Sequence, residues 1–330
     1  MFDILGIGFP AVDIYYQLDC LPRTDGFCNI LKTDTKPGGS GVNVIAQAAN
    51  LGSSCTFLTV VGDDDIGREI LKDLYDSSID TGKVLVAEGT SSSHCKILLD
   101  PQGQKCILID SGTAGKLSNT LISAQHEKEP DAEVLYTDLY PIAIARKYLP
   151  LYYEAGMTTI FNMQMALDPY KTLGISRNDI LDLLPYTTVF APCLLGLLDL
   201  TGQDSILAAH KEVRKHFSGI AVYTLGKEGV VAFSEEDHAY YCPAREVKAV
   251  DTTGAGDSFI GAFAHAYGVK KMSLPDSLRF ATVCASWTCT EIGARSTPDG
   301  HQAAQACKEW DGCVTEESQL LNQILNASRI

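Results

Sequence analysis

Val250-Asp251-Thr252-Thr253-Gly254-Ala255-Gly256-Asp257-Ser258-Phe259 is the stretch from which the rest of the chain can be ordered. Two glycines separated by one alanine permit a tight turn in which several backbone N–H groups converge on one small space. Asp257 follows at once. The apolar residues beyond it, Phe259, Ile260, Ala262, Phe263, Ala266 and Tyr267, recur at helical spacing. The glycines are therefore expected at a helix N-terminus, where free N–H groups and the helix dipole attract anions. Such a turn with a carboxylate beside it suits phosphoryl transfer to an alcohol. The N–H groups of Gly254, Ala255 and Gly256 would hold the phosphoryl oxygens, and Asp257 would take the hydroxyl proton. Taken alone, Gly-Ala-Gly-Asp is more simply a turn whose Asp caps the helix. The surrounding chain decides between the two.

The chain has 330 residues, room for one large α/β domain or two smaller ones. Apolar residues make up 45% and charged residues 20%, ordinary values for a globular protein. No apolar run approaches the ~20 residues of a membrane helix. The apolar start, Met1 to Gly8, lacks a basic leader and a cleavage site and reads as a first strand. A net charge of −15 disfavours nucleic acid and anionic membrane surfaces, yet leaves room for a phosphorylated ligand held by a few amides. Eleven cysteines without a C-x-x-C pair point to a reduced, cytoplasmic chain with mostly buried thiols. The seven histidines show no metal-binding spacing.

Outward from the signature, strand and helix patterns alternate. Residues 2–8 read as a buried strand ending in Gly6-x-Gly8, with Asp13 following it. Two β-rich stretches, about 14–18 and 27–32, flank a turn at Leu21–Gly26. Lys36-Pro37-Gly38-Gly39-Ser40-Gly41-Val42-Asn43 leads into a small-residue helix closed by Leu51-Gly52. Residues 95–99 and 105–109 form a hairpin around Pro101–Gln104. Strand–helix alternation resumes from residue 133. This pattern predicts a doubly wound, mostly parallel α/β sheet with helices on both faces, built from residues 1–13, 36–92 and 112–302. A small β-sheet lid is expected from 14–35 and 93–111, and a C-terminal helical extension from 303–330.

Gly38, Gly39, Gly41 and Asn43 do not form a P-loop, since no Gly-Lys-Ser/Thr follows, and Gly254-x-Gly256 lacks the third glycine of a dinucleotide fingerprint. By itself the di-glycine is a loop before a helix. Yet Asp251–Asp257 resembles D-T-x-G-A-G-D, the C-terminal signature of the PfkB, or ribokinase-like, family of carbohydrate kinases. The Gly38–Asn43 loop with Gly62-Asp63-Asp64-x-Ile66-Gly67 resembles that family's first signature. The resemblance spans about residues 2–300. It implies that Asp13, Gly38, Gly39 and Asn43 hold sugar hydroxyls, where bare backbone allows close approach and an amide both donates and accepts. Thr224-Leu225-Gly226-Lys227-Glu228-Gly229 resembles the nucleotide loop T-L-G-x-x-G, which implies Thr224, Gly226 and Gly229 near the phosphates of ATP. Glu291-Ile292-Gly293-Ala294 resembles the loop beside the adenine pocket. With Asp251 and Thr253 it implies a K⁺ site.

The resemblance further implies Mg²⁺, a lid that closes over the sugar, and a homodimer formed through that lid. It fails at one place. Counting back from Leu200-Thr201-Gly202, Cys193 and Gly196 stand where the family has Asn and Glu, and neither supplies the oxygen ligands Mg²⁺ prefers. Ala281 and Thr282 stand where an Asn is common. The expected activity is ATP-dependent phosphorylation of a primary hydroxyl of a small sugar, with Asp257 as base. One alternative is a nucleoside kinase, with Tyr15, Tyr16, Phe27 and Tyr136 as an aromatic shelf. Another, motivated by Cys193 and Gly196, is a non-catalytic metabolite sensor.

Overall fold

A computed structural model describes residues 1–116, 130–312, 314–316 and 319–327. Its strands are β1 (Phe2–Ile7), β2 (Ala11–Leu18), β3 (Ile30–Gly38), β4 (Cys55–Gly62), β5 (Ile79–Asp80), β6 (Val84–Ala87), β7 (His94–Leu99), β8 (Lys105–Asp110), β9 (Ala132–Thr137), β10 (Thr158–Met163), β11 (Val189–Pro192), β12 (Ile220–Thr224), β13 (Val230–Phe233), β14 (Ala239–Cys242) and β15 (Thr315–Glu316). The large sheet runs β15-β14-β13-β12-β11-β10-β9-β1-β4-β5, with β6 also on β4. From β12 through β4 every pairing is parallel, while β13, β14 and β15 add antiparallel strands at one edge.

Strands near the middle are apolar at successive positions because helices cover both faces. Leu5 and Ile7 enter one core with Leu135 and Phe161, whereas Ile4 enters the other with Phe57 and Tyr136. Each fully buried side chain of this size contributes about 1.5–3 kcal/mol relative to exposure. Among the described residues no helix is long and apolar enough to cross a membrane.

The second sheet has the order β3-β2-β7-β8, antiparallel in its outer pairs and parallel between β2 and β7. Its strands lie where the lid was expected but run further. β2 starts at Ala11 and β3 continues to Gly38, so Asp13 belongs to the small sheet and not to the end of β1. Alternate residues face one way. Asp13 and Tyr15, Lys36, Cys95 and Ile97, and Lys105 therefore line one cavity together.

The C-terminal segment differs from the helical extension expected. Helix Gly300–Glu309 begins earlier, β15 pairs with β14, and helix Gln319–Asn326 buries Leu321, Ile324 and Leu325 in the core. An apolar stripe, not polarity, is what fixes that last helix. Of this segment, 313, 317, 318 and 328–330 lie outside the described residues.

Candidate active site

The signature stretch forms a turn and then helix Ala255–Phe263. Gly254 precedes that helix in the left-handed region, at φ 78°. A Cβ there would lie 2.5 Å from Ala294 Cα. Only glycine meets both demands. No side chain caps this helix. The Ala255 N–H is directed at Thr252 O, 3.3 Å away, and a Cβ at Gly256 would meet open space. The Gly256 end of the turn is thus the accessible part of the expected anion site. Asp251 braces the turn from below, accepting from Thr253 N at 2.9 Å and from Gly293 N at 3.0 Å. These bonds favour its ionised form and lower its pKa, despite partial burial.

Two cavities meet at this loop. The first, about 1220 Å³, is lined by the lid and by Gly39, Ser40, Asn43 and Asp138. The second, about 910 Å³, is lined by Thr224, Gly226, Gly229, Arg245, Ala255 and Gly256. Ala249 and Thr252 wall both. Both lie at the carboxyl ends of the parallel strands, where open α/β sheets bind ligands.

Asp257 stands behind the first cavity. Its carboxylate accepts from Ser40 Oγ and, at 2.9 Å, from Asn43 Nδ2, two residues that do line it. Burial pushes the Asp257 pKa up to about 6, against the pull of these two donors and of Arg295. Asp13 is likewise raised to about 6, chiefly by burial, and Asp257 adds to the rise. The Cys95 thiol, opposite Asp13 in the sheet register, hydrogen-bonds to it. Burial and Asp13 hold that thiol near 12, so it remains a protonated donor. A side chain at Gly38 would occupy the position of the Asp13 carboxyl, and Gly39 adopts φ 84°. The di-glycine therefore makes room for Asp13.

Asn43 is more committed than the sequence suggested. Besides donating to Asp257, it accepts from Arg295 Nε at 2.7 Å, which leaves one N–H for a ligand. Asp64 caps helix Asp65–Asp76 and ties it to Ser92, so Gly62–Gly67 supports the site and does not line it.

Sequence reasoning missed Asp138, Arg295, Cys95 and the edge-to-face pair Phe9–Tyr140, centroids 5.1 Å apart. Asp138 follows β9, is 2% exposed, and accepts from Tyr140 N at 3.0 Å. Gly8 and Gly41 leave it space. Of the expected aromatic shelf, only Tyr15 lines the cavity. Tyr136 is fully buried in the core and Phe27 is fully exposed. Tyr136 lies on a strand covered on both faces, which its β-type surroundings alone did not reveal.

Burial raises the Asp138 pKa to about 7. Between pH ~4 and ~7 the folded state holds a proton that the unfolded chain releases, so this group's contribution to stability falls as pH rises through 7. Asp138→Asn should accordingly raise the melting temperature by a few degrees at pH 8 and by less at pH 5. Equal shifts at the two pH values, followed by calorimetry, would contradict this.

The Cys193–Gly196 departure has a structural basis. Cys193 Sγ caps helix Leu194–Thr201 through Gly196 N at 3.3 Å. A Cβ at Gly196 would lie 2.7 Å from Met165 O. Burial raises the thiol pKa and keeps it protonated. Neither residue fits a Mg²⁺ shell. Among the described residues no group of three or more His, Cys, Asp or Glu could hold a metal.

Residues 18–300 match the pfkB family carbohydrate kinase profile. Ribokinase of Dictyostelium discoideum is 28% identical over 310 residues, 89% of this chain and 96% of that protein. The crystal structure of ribokinase from Thermotoga maritima superposes with a TM-score of 0.79 at 23% identity, covering 93% of this chain and all of that one. Ribokinase of Arabidopsis thaliana, solved with ribose and ATP, gives 0.78 at 23% identity over 93% and 99% of the two chains. With the fold, the two facing cavities and a profile match across most of its length, the chain belongs to the pfkB family of carbohydrate kinases.

Proposed function

We propose that the protein transfers the γ-phosphoryl group of ATP to a primary hydroxyl of a small sugar. The observation carrying this reading is that one loop, Ala249 to Gly256, contributes to both cavities, with Asp257 at the head of the helix it opens. ATP takes the cavity of Thr224, Gly226 and Gly229. The sugar takes the other, with its hydroxyls on Asp13, Gly39 and the remaining Asn43 N–H. Gly38 acts by leaving Asp13 its space. Asp257 removes the acceptor proton as the hydroxyl oxygen bonds to the γ-phosphorus and the β–γ bridging bond breaks toward ADP. Of the helix-start amides of Gly254, Ala255 and Gly256, the open Gly256 end opposes the charge on the transferring oxygens most directly, and the Ala255 N–H joins it on turning from Thr252 O. A carboxylate of pKa about 6 is ionised at pH 7.5 yet basic enough to act, so turnover should fall as pH drops through 6.

Two finer elements belong to the same reading. Asp251, tied to both Thr253 and Gly293, supports a monovalent-cation site between the two loops. The exposed Ile107, Leu108 and Ile109 on edge strand β8 support a homodimer through the lid, which sedimentation would reveal as a monomer if wrong. The Phe9–Tyr140 pair favours a second reading, a nucleoside acceptor, because a planar base stacks on such rings.

A panel of pentoses, hexoses and nucleosides with Mg·ATP, assayed for ADP in potassium and in tetramethylammonium chloride, separates these. The expected result is turnover with a free sugar, faster in potassium. Preference for nucleosides selects the second reading. Saturable binding with no ADP from any acceptor returns the protein to the sensor class, and equal rates in the two salts remove the cation.

A further inference from the structure

Arg295 follows Gly293-Ala294 and was not singled out by any motif, yet it meets Gly38, Asn43, Asp73 and Ser77. Its two terminal nitrogens, Nη1 and Nη2, meet the two carboxylate oxygens of Asp73, each at 2.9 Å, in an end-on bidentate pair where both side chains are less than 20% exposed. The same guanidinium donates to Ser77 Oγ at 3.2 Å and approaches Gly38 O at 3.5 Å. Its Nε donates to Asn43 Oδ1 at 2.7 Å. An arginine only donates, so the amide atom facing it must be oxygen. The –NH₂ end of Asn43 is thereby turned to Asp257.

We propose that Arg295 is a positioning residue for the phosphoryl-transfer base: clamped on Asp73, it fixes the Asn43 amide so that this amide donates to Asp257. The inference rests on the reading of Asp257 as base. Helix Asp65–Asp76 supplies the anchor, helix Ser40–Asn50 the relay, and helix Ala255–Phe263 the carboxylate. Without Arg295 the orientation of the buried Asn43 amide is no longer set, which weakens one of the two donors to Asp257, and Asp257 loses a cation that favours its ionised form. The charged groups around Asp257 make the direction of the electrical effect clear. Asp13 on β2 and Asp138 after β9 are like-charged neighbours, and Lys105 on β8 acts on Asp13 and Asp251. Arg295 is the cation that favours the ionised form of Asp257. Bidentate geometry is what makes arginine the fitting residue, since lysine supplies the charge without the planar fork.

The test uses the full chain with Mg·ATP and D-ribose, together with a carbon-13 carboxyl titration of the ligand-free protein in which Asp257→Asn assigns the Asp257 signal. Arg295→Met is expected to lower kcat by about 10- to 100-fold with a smaller rise in the ribose KM, since the Asn43 N–H offered to the sugar is released as well, and to move the Asp257 titration, and with it the acid limb of kcat, upward by up to about one pH unit. Arg295→Lys should restore the titration but only part of kcat. If Arg295→Met unfolds, Arg295→Lys and Asp73→Asn carry the test: each should lower kcat by a larger factor than it raises the ribose KM. An Asp257 titration and kcat unchanged by these variants, with only the melting temperature lowered, would overturn the proposal and leave Arg295 a structural clamp. That outcome is distinct from failure of the base reading, which would appear as near-normal turnover in Asp257→Asn. Should ribose not be turned over, the titration of Arg295→Met decides alone.

Discussion

Asp257→Asn is expected to lower kcat by about 10² to 10⁴ while leaving the binding of ATP and acceptor within a few-fold of the parent. The substitution keeps shape and removes basicity. It also keeps the local hydrogen bonds. Ser40, which donates to one carboxylate oxygen, can instead accept from the new –NH₂, while Asn43 still donates to the remaining oxygen. The loss should therefore fall on the chemical step and not on assembly of the site. Stability gives a second sign. The folded-state pKa of Asp257 is raised to about 6, so its ionisation above that pH weakens the fold. The neutral Asn should hold the melting temperature at pH 8 equal to or above that of the parent. Turnover within threefold of the parent would remove Asp257 from the role of base.

Gly254→Ala is the second large effect, and its cause is backbone geometry. The residue sits at φ 78°, and its added methyl would press against Ala294, whose Cα, Cβ and O lie 2.5–2.6 Å from the ideal Cβ position. None of these three atoms is the end of a flexible side chain. Left-handed strain alone costs about 1–3 kcal/mol. Relief requires the turn to open or the Gly293–Ala294 loop to withdraw, and either movement displaces the amides aimed at the phosphoryl group. Displacing such a donor lowers kcat by about 10² to 10³. Gly256→Ala is the control. Its φ is not positive and its Cβ meets open space, so it should fold as the parent does. Measured side by side, a Gly254→Ala enzyme with unaltered kcat and melting temperature would show that the turn is not held as described.

These effects arise from the part of the chain that was easiest to read. The tight turn, the helix behind it and the strand–helix alternation leave local marks: glycine where φ must be positive, apolar spacing of 3.6 where a helix packs, and unbroken apolar runs where a strand is covered on both faces. The fold class followed from those marks, and the structure has it. Residues that act by meeting across the fold left none. Arg295 and Asp73 are 222 positions apart, and no local pattern links them. Asp138 looked like any carboxylate after a strand until Gly8 and Gly41 opened room beside it. Cys95 gains meaning only from its register opposite Asp13. Tyr136 was misjudged because an aromatic on a strand shows its ring to whichever layer covers that face, and here the layer is core. The Cys193–Gly196 departure was legible, but its reason was not. Met165 O closes the space that a larger residue at 196 would need.

The central claim is that one loop sets an ATP phosphoryl group against a sugar hydroxyl with Asp257 as the base between them. The most direct measurement is phosphorus NMR of the parent and Asp257→Asn proteins with Mg·ATP and the best sugar from the panel. The account predicts, for the parent, one sugar phosphate ester at a primary carbon for every ADP formed, and for Asp257→Asn the same product at a rate at least about a hundredfold lower. ADP accompanied only by inorganic phosphate, or equal rates of ester formation in the two proteins, would contradict it.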